Sequence, residues 1–204
     1  MYPTIDLEKI KGSKLGSGAE KVVYRHNECP DRCIKICSKN NARSIIREIE
    51  YFKFLNKHQI KASFIPKFYE AFECDKSIGF IQESFIDKLN GGLFDSVSLL
   101  HNYISNPDSD LSEVLKMLDD LKNEMIRKNI IISDLHGWNF FRVVEDGRAR
   151  LVIIDGYGSP EILPLAQYIR FLGKLKIERQ WKKLYRRLEP IIQQKLQTTD
   201  LKCI

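Results

Sequence analysis

An apolar run, Ile130-Ile-Ile-Ser133, delivers Asp134 into a short polar stretch, Leu135-His-Gly-Trp-Asn139, and a second apolar run follows at once. Phe140–Val144 and Ala149–Ile154 then flank Glu145-Asp-Gly147. An Asp-Gly pair between two apolar runs is the strongest short-range signal for a β-hairpin. The second run stops at Asp155-Gly156. The hairpin fixes where three polar side chains can go: Asp134 and Asn139 lie at its entry and Asp155 at its exit, and antiparallel pairing brings entry and exit together. Two carboxylates and an amide around one point are what a magnesium–phosphate site needs. Two loop-capping aspartates and an Asx-turn asparagine would use the same residues without chemistry.

The chain of 204 residues carries 43% hydrophobic and 29% charged residues, an ordinary soluble composition with room for a sizeable core. No apolar run is long enough to span a bilayer, and Met1-Tyr-Pro-Thr-Ile-Asp-Leu-Glu8 lacks the basic-then-apolar layout of a signal peptide, so a cytoplasmic protein is expected. Five cysteines make an odd number for a disulfide framework. Cys29, Cys33 and Cys37 recur every fourth residue without a close Cys-x-x-Cys pair, which favours buried free thiols over a metal centre. The net charge of +6 and pI near 9.0 favour anionic partners, among them nucleotide, nucleic acid and acidic lipid.

Along the first third, a glycine turn at Gly16-Ser17-Gly18 leads into Val22-Val23 and then Cys33-Ile-Lys-Ile-Cys37, so an antiparallel sheet is predicted. Glycines in such a turn let backbone amides approach a phosphate, although a hairpin can hold two glycines with no ligand. Strand alternation puts Cys33, Lys35 and Cys37 on one face and Ile34 and Ile36 on the other. A lysine turned inward needs a counter-charge. The spacing of Ile45, Ile46, Ile49, Phe52 and Leu55 predicts a helix from Asn41 to Leu55, with Glu48 beside its apolar stripe. A Lys35–Glu48 contact at ~4 Å carries about 4 kcal/mol of Coulomb energy at an effective dielectric near 20, before desolvation. Phe68–Cys74 and Gly79–Phe85 read as two more strands around Asp75-Lys-Ser-Ile78, and Asp87-Lys-Leu-Asn-Gly-Gly92 marks a domain boundary.

Past that boundary helices dominate. Asp110 and Glu113 form a capping box ahead of a stripe made by Leu111, Val114, Leu115, Leu118, Leu121 and Met125, ending near Asn129. A last helix, residues 177–196, carries Trp181, Leu184, Tyr185, Leu188, Ile191 and Ile192 on one side. Arg179, Lys182, Lys183, Arg186 and Arg187 crowd the other, either as a solvated face or as a docking surface for an anionic partner. The absence of interleaved aromatics among these basic residues argues against a reader of single-stranded nucleic acid.

The order of these parts resembles the protein-kinase-like superfamily. Leu15-Gly-Ser-Gly-Ala-Glu-Lys-Val-Val-Tyr24 is similar to its glycine-rich loop, with Lys21 where a third glycine would stand. Arg32-Cys-Ile-Lys35 resembles the strand bearing the nucleotide-binding lysine, and Arg47-Glu-Ile49 the motif of its glutamate partner. Gln82-Glu-Ser-Phe85 falls where the adenine-binding hinge would lie. Asp134-Leu-His-Gly-Trp-Asn139 resembles the catalytic loop, closest to the aminoglycoside and choline kinase version, and Ile154-Asp-Gly156 the metal-binding motif. The likeness covers residues 10–158. More narrowly, Ile154-Asp-Gly-Tyr-Gly-Ser-Pro160 looks like the PhoP regulatory network protein YrbL family.

The resemblance implies an α+β, bilobal fold with a β-rich N-lobe, residues 1–86, and a reduced, mostly helical C-lobe, residues 87–204. It implies ATP and Mg2+ as cofactors. Lys35, held by Glu48, would take the phosphates, and Gly16, Ser17 and Gly18 would cover them. Val23, Cys33, Gln82, Glu83 and Phe85 would frame the adenine, with the Cys33 thiol open to alkylation. Asn139 and Asp155 would hold the metal, and Asp134 would receive the proton of the acceptor hydroxyl. Ile132-Ser133 in place of His-Arg, Gly156 in place of Phe, and the short stretch beyond Asp155 depart from the superfamily's pattern. They point to an acceptor other than a peptide: a small molecule, a lipid-linked sugar or the protein itself. Three readings follow: a phosphotransferase, a nucleotide-binding pseudokinase acting as a regulatory module, and a basic surface binder.

Overall fold

The structure, a computed structural model, describes residues 2–85, 99–161 and 165–200. The segment expected to mark the domain boundary, Asp87 to Gly92, lies outside the described residues. The protein is α+β, with a sheet-rich N-terminal part and a helical C-terminal part. The chain forms two compact units, Met1–Gln59 with Pro66–Phe94, and Ile60–Ile65 with Asp95–Ile204. The division is not a single cut at 86/87, because residues 60–65 go with the second unit. Ser63 Oγ donates to Glu124 Oε2 at 2.8 Å and the Ile153 amide donates to the Phe64 carbonyl at 2.9 Å, which ties that short segment to a helix and a strand of the second unit.

In the first unit, helix α1 (Leu7–Ile10) precedes strands β1 (Lys11–Ser17), β2 (Val22–His26) and β3 (Arg32–Ser38). Helix α2 (Arg43–Lys57) follows, then β4 (Phe68–Cys74) and β5 (Ser77–Glu83). The sheet order is β1-β2-β3-β5-β4, and every pair is antiparallel. Both faces of the sheet are covered. Ile34, Phe72 and Ile81 form a core on one side, against Ile5, Leu7 and Ile10 from the N-terminal segment. On the other side Phe52 of α2 stacks on Phe68 at 5.3 Å and meets Phe80 at 5.7 Å. The helical stripe of α2 holds at Ile45, Ile49, Phe52 and Leu55, but Ile46 is exposed and Glu48 and Tyr51 are buried in addition. Gly79 opposes Ile36 so closely that a Cβ would lie 2.6 Å from the Lys35 carbonyl, so no side chain fits there.

The second unit holds helix α3 (Leu100–Ser105), helix α4 (Leu111–Lys128), the hairpin β6 (Phe140–Glu145) and β7 (Arg148–Ile153), helix α5 (Leu165–Tyr168) and helix α6 (Arg170–Asp200). Asp110 caps α4 by accepting the Ser112 and Glu113 amides, and Asn129 closes it in the left-handed region, φ 55°. Val114, Leu118, Leu121 and Met125 are buried as the stripe predicts; Met117 joins them while Leu115 faces solvent. The hairpin turn puts Asp146 and Gly147 at φ 50° and 73°, the paired positive values that an Asp-Gly turn of this type requires. Helix α6 starts seven residues before the predicted start and buries Ile177, Trp181, Leu184 and Leu188. Among the described residues, no helix is long and apolar enough to cross a membrane.

Candidate functional site

Register places Gly16, Val23, Cys33, Lys35 and Gln82 of the predicted nucleotide residues on one sheet face, and Ser17 and Glu83 on the other. Val23 pairs with Lys35, and Cys33 pairs with Gln82. Directly opposed residues of an antiparallel pair share a face, and on β3 alternation puts Cys33 and Lys35 together. Gly16, opposite Val23, falls on the same side. Cys33, Lys35 and Gln82 are buried there. Phe85 is also buried, just past the end of β5. The Glu83 carbonyl accepts the Cys33 thiol at 3.8 Å, and the Glu83 carboxylate accepts the Lys67 amide at 3.2 Å.

Glu48 has no exposed surface and is shared by two lysines. Lys35 Nζ lies 3.9 Å from its Oε2, the contact the sequence predicts, and 5.5 Å from the centre of the Phe80 ring. Lys21 Nζ approaches Oε1 at 2.8 Å and donates a hydrogen bond to it. The role of Lys21 was not legible in the sequence, where it reads only as a substitute for a glycine. Its position two residues before Val23 was the available signal, since β2 pairs with β3 and carries it toward Lys35 and hence Glu48. One buried carboxylate thus holds two ammonium groups close together in a partly buried place, where charge interactions are strong.

Gly16 and Gly18 do not have positive φ, and a Cβ added to either meets nothing within 4 Å. Ser17 is exposed at the end of β1, paired with Val22. The turn is closed by the Gly18 amide donating to the Lys21 carbonyl at 2.9 Å. Neither glycine is therefore demanded by the fold around it, and the open space beside them is available to an approaching group.

Burial, the first of several causes, pushes the Cys33 thiol up to about 11, although the Lys35 ammonium and a hydrogen bond with Gln82 oppose the shift. The expectation that Cys33 would be open to alkylation is thus corrected: the thiol is buried and kept protonated. Cys29, Cys33, Cys37 and Cys74 form no disulfide; Cys33 and Cys37 are buried, whereas Cys29 and Cys74 are half-buried.

In the second unit the loop after Ile132 is tied to the loop after Ile154. The Ser133 amide and hydroxyl both donate to the Gly156 carbonyl, at 2.8 and 3.0 Å. The Gly158 amide donates to the Ile131 carbonyl at 3.1 Å. Asn139 Nδ2 donates to the Asp134 carbonyl at 3.1 Å and its Oδ2 at 3.4 Å, and the Asn139 carbonyl accepts the Ile154 amide at 2.8 Å. Asp155 Oδ1 accepts the Gly156 amide at 2.9 Å. The hairpin thus joins Asp134 and Asn139 to the backbone that carries Asp155. Asp134 stays exposed to solvent. His136 caps the one-turn helix Gly137–Asn139 by accepting the Trp138 amide at 3.4 Å.

Arg187, predicted only as part of a basic face, reaches this loop. Its Nη1 donates to the Leu135 carbonyl at 3.1 Å and lies 3.8 Å from Asp134 Oδ1. It steadies the segment that presents Asp134 and adds a cation beside it. No local sequence signal distinguishes Arg187 from Arg186.

The donor set offered by Asp134, Asn139 and Asp155 is oxygen only. It suits a hard cation such as magnesium, which takes one or two carboxylates and leaves its other positions to water and phosphate. Among the described residues no three His, Cys, Asp or Glu side chains cluster as a protein-only metal cage. A magnesium site completed by a nucleotide does not need one.

Fold and site together define an α+β chain with a lysine–glutamate cluster in its sheet-rich part and hairpin-anchored aspartates in its helical part. Residues 5–189 match the family described as PhoP regulatory network protein YrbL, and the chain belongs to that family. It is 26% identical over 179 residues to the proteins named "Uncharacterized protein YrbL" of Escherichia coli (strain K12) and Shigella flexneri, covering 84% of this chain and 82% of each relative.

Proposed function

We propose that this protein is an ATP-dependent phosphotransferase with a reduced, bilobal, protein-kinase-like fold. The observation that carries the reading is the buried Glu48 approached by both Lys21 and Lys35, with Lys21 closing a glycine turn where an added Cβ meets nothing. A polyphosphate is the ligand that paired ammonium groups and open backbone favour.

In this reading Lys35, oriented by Glu48, takes the nucleotide's phosphates, and the Gly16-Ser17-Gly18 backbone covers them. Val23, Cys33, Gln82, Glu83 and Phe85 frame the adenine. Asn139 and Asp155 would hold magnesium, which when bound neutralises part of the phosphate charge. Asp134 accepts the proton of an acceptor hydroxyl as its oxygen bonds to the γ-phosphorus. The bond from that phosphorus to the bridging oxygen breaks and ADP leaves. The acceptor is a small molecule, a lipid-linked sugar or the protein itself, in preference to a peptide.

The test is thermal shift with ATP and magnesium, followed by transfer from labelled ATP across an acceptor panel. The reading expects stabilisation that Lys35→Met abolishes, with ADP formation that depends on acceptor. Absence of any nucleotide-dependent shift overturns it. A second reading, a pseudokinase acting as a nucleotide-binding regulatory module, is favoured by one observation: Lys21 lies closer to Glu48 than Lys35 does. Stabilisation by nucleotide without transfer or hydrolysis would select it.

A further inference from the structure

Helix α6 sorts its exposed residues along its axis. Phe171, Leu172 and Leu175 are exposed near its start, and Arg179, Lys182, Lys183 and Arg186 are exposed further on. At about 100° per residue all seven fall within one arc of about 120°. The same helical face is apolar for its first turns and basic for the next. Leu165, Tyr168 and Ile169 of the preceding segment extend the apolar part, and exposure reaches 68% at Phe171 and 65% at Tyr168. Six large apolar side chains exposed within eleven positions form a patch, whereas singly scattered apolar residues are ordinary. Glu178, 4.0 Å from Lys174, borders the tract, and the exposed Glu189 lies on the same face one turn past Arg186.

A pocket of about 330 Å³ opens at this place. Leu165, Ala166, Leu172 and Leu175 supply its apolar lining, and Lys176 and Arg179 its cations. Glu161, also on the lining, is bonded to Lys176. An apolar wall beside cations suits a molecule with a hydrocarbon part and an anionic head.

We infer that the α5–α6 face is a docking surface for an anionic lipid bilayer, on which α6 lies in the interfacial plane. The chemistry points to a membrane rather than to other partners. Nucleic acid would satisfy the basic turns but gain nothing from Leu172 and Leu175. A second copy docked through the same face would cover the apolar turns but bring mainly further lysines and arginines, not counter-charge, to the basic ones. A bilayer with acidic headgroups answers both at once, since apolar side chains enter the acyl boundary while lysines and arginines reach the phosphates. The helix carries too many charges to cross the bilayer, so association is peripheral. This surface is independent of the nucleotide reading, and its test uses no nucleotide.

The experiment is co-sedimentation of the full chain with vesicles of equimolar phosphatidylglycerol and phosphatidylcholine, and with vesicles of phosphatidylcholine alone. The chain should bind the anionic vesicles at least about tenfold more tightly, with affinity falling as salt rises. Phe171→Ser combined with Leu175→Ser should weaken that binding about tenfold or more without a change in melting temperature, because both side chains are exposed. Glutamine at Arg179, Lys182, Lys183 and Arg186 should remove the preference for the anionic lipid. Equal binding to both vesicles, or anionic binding that neither variant alters, overturns the inference. A sedimentation-velocity dimer dissolved by the Phe171/Leu175 variant, with no vesicle binding, overturns it in favour of a second copy.

Discussion

Gly156 packs directly against Asp134: a Cβ on Gly156 would lie 3.0 Å from the Asp134 carbonyl oxygen and 3.2 Å from its Cβ, and Gly156 itself has φ +88°. Two independent constraints therefore demand glycine after Asp155. Any L side chain would be strained by the backbone angle and would push on the residue proposed as the base. Gly156→Ala should cost about 2–3 kcal/mol of stability, read by chemical denaturation. It should also displace Asp134 enough to abolish phosphate transfer. Gly18→Ala, where no neighbour lies within 4 Å, should leave stability unchanged and weaken nucleotide binding alone.

Asp134 is exposed, and its carboxylate receives a weak 3.4 Å contact from Asn139 and a 3.8 Å approach from Arg187. Little of the fold depends on its charge. Asp134→Asn should lower turnover by roughly 10²–10⁴-fold while the melting temperature stays within a degree or so. An unaltered rate would remove Asp134 from the mechanism.

The two lysines on Glu48 should respond unequally to mutation. Glu48→Ala removes the buried carboxylate that both Lys21 and Lys35 approach, and should destabilise the protein by about 3–5 kcal/mol. Lys21→Ala leaves Lys35 to neutralise Glu48, and should cost about 1 kcal/mol. Thermal shift with ATP and magnesium separates their roles further. If Lys21 competes for Glu48, its loss tightens nucleotide binding; if it binds phosphate, its loss weakens binding. Lys35→Met should weaken binding in either case.

Cys33 should be the slow thiol of the first unit. With its value raised from 9.0 to about 11, its thiolate fraction near pH 8 falls about 100-fold below that of an ordinary thiol, before shielding is counted. Differential alkylation read by mass spectrometry should label it only on unfolding. Because the folded-state value lies above the ordinary one, burial of the neutral thiol favours the folded protein below about pH 9. That advantage is lost as pH rises toward about 11, and Cys33→Ala should be insensitive to this part of the alkaline range.

Much of the fold was legible residue by residue. The Asp-Gly turn predicted a hairpin whose two strands pair as Phe140 with Ile153 through Glu145 with Arg148. The Asp110 cap, the α4 stripe and the alternation at Cys33–Cys37 also correspond to structure. These signals are local: turn angles, capping and side-chain period involve residues a few positions apart, where sequence distance and spatial distance agree. The stripes erred at Ile46 and Leu115, both on helical period yet exposed, because the period does not say how wide a face the neighbouring element covers.

The chain's own order of residues settled which segments are strands and helices, which face of β3 carries Lys35, and that Asp134 and Asp155 stand at the entry and exit of one hairpin. Only the tertiary structure decided that Lys21 is the nearer partner of Glu48, that Arg187 rather than Arg186 reaches the Leu135 carbonyl, and that Gly156 is held against Asp134. The physical reason is range. A backbone turn or an amphipathic period is written into neighbouring residues. The choice among several lysines or arginines for one acceptor depends on ångström differences between segments far apart along the chain, which are set when the core packs.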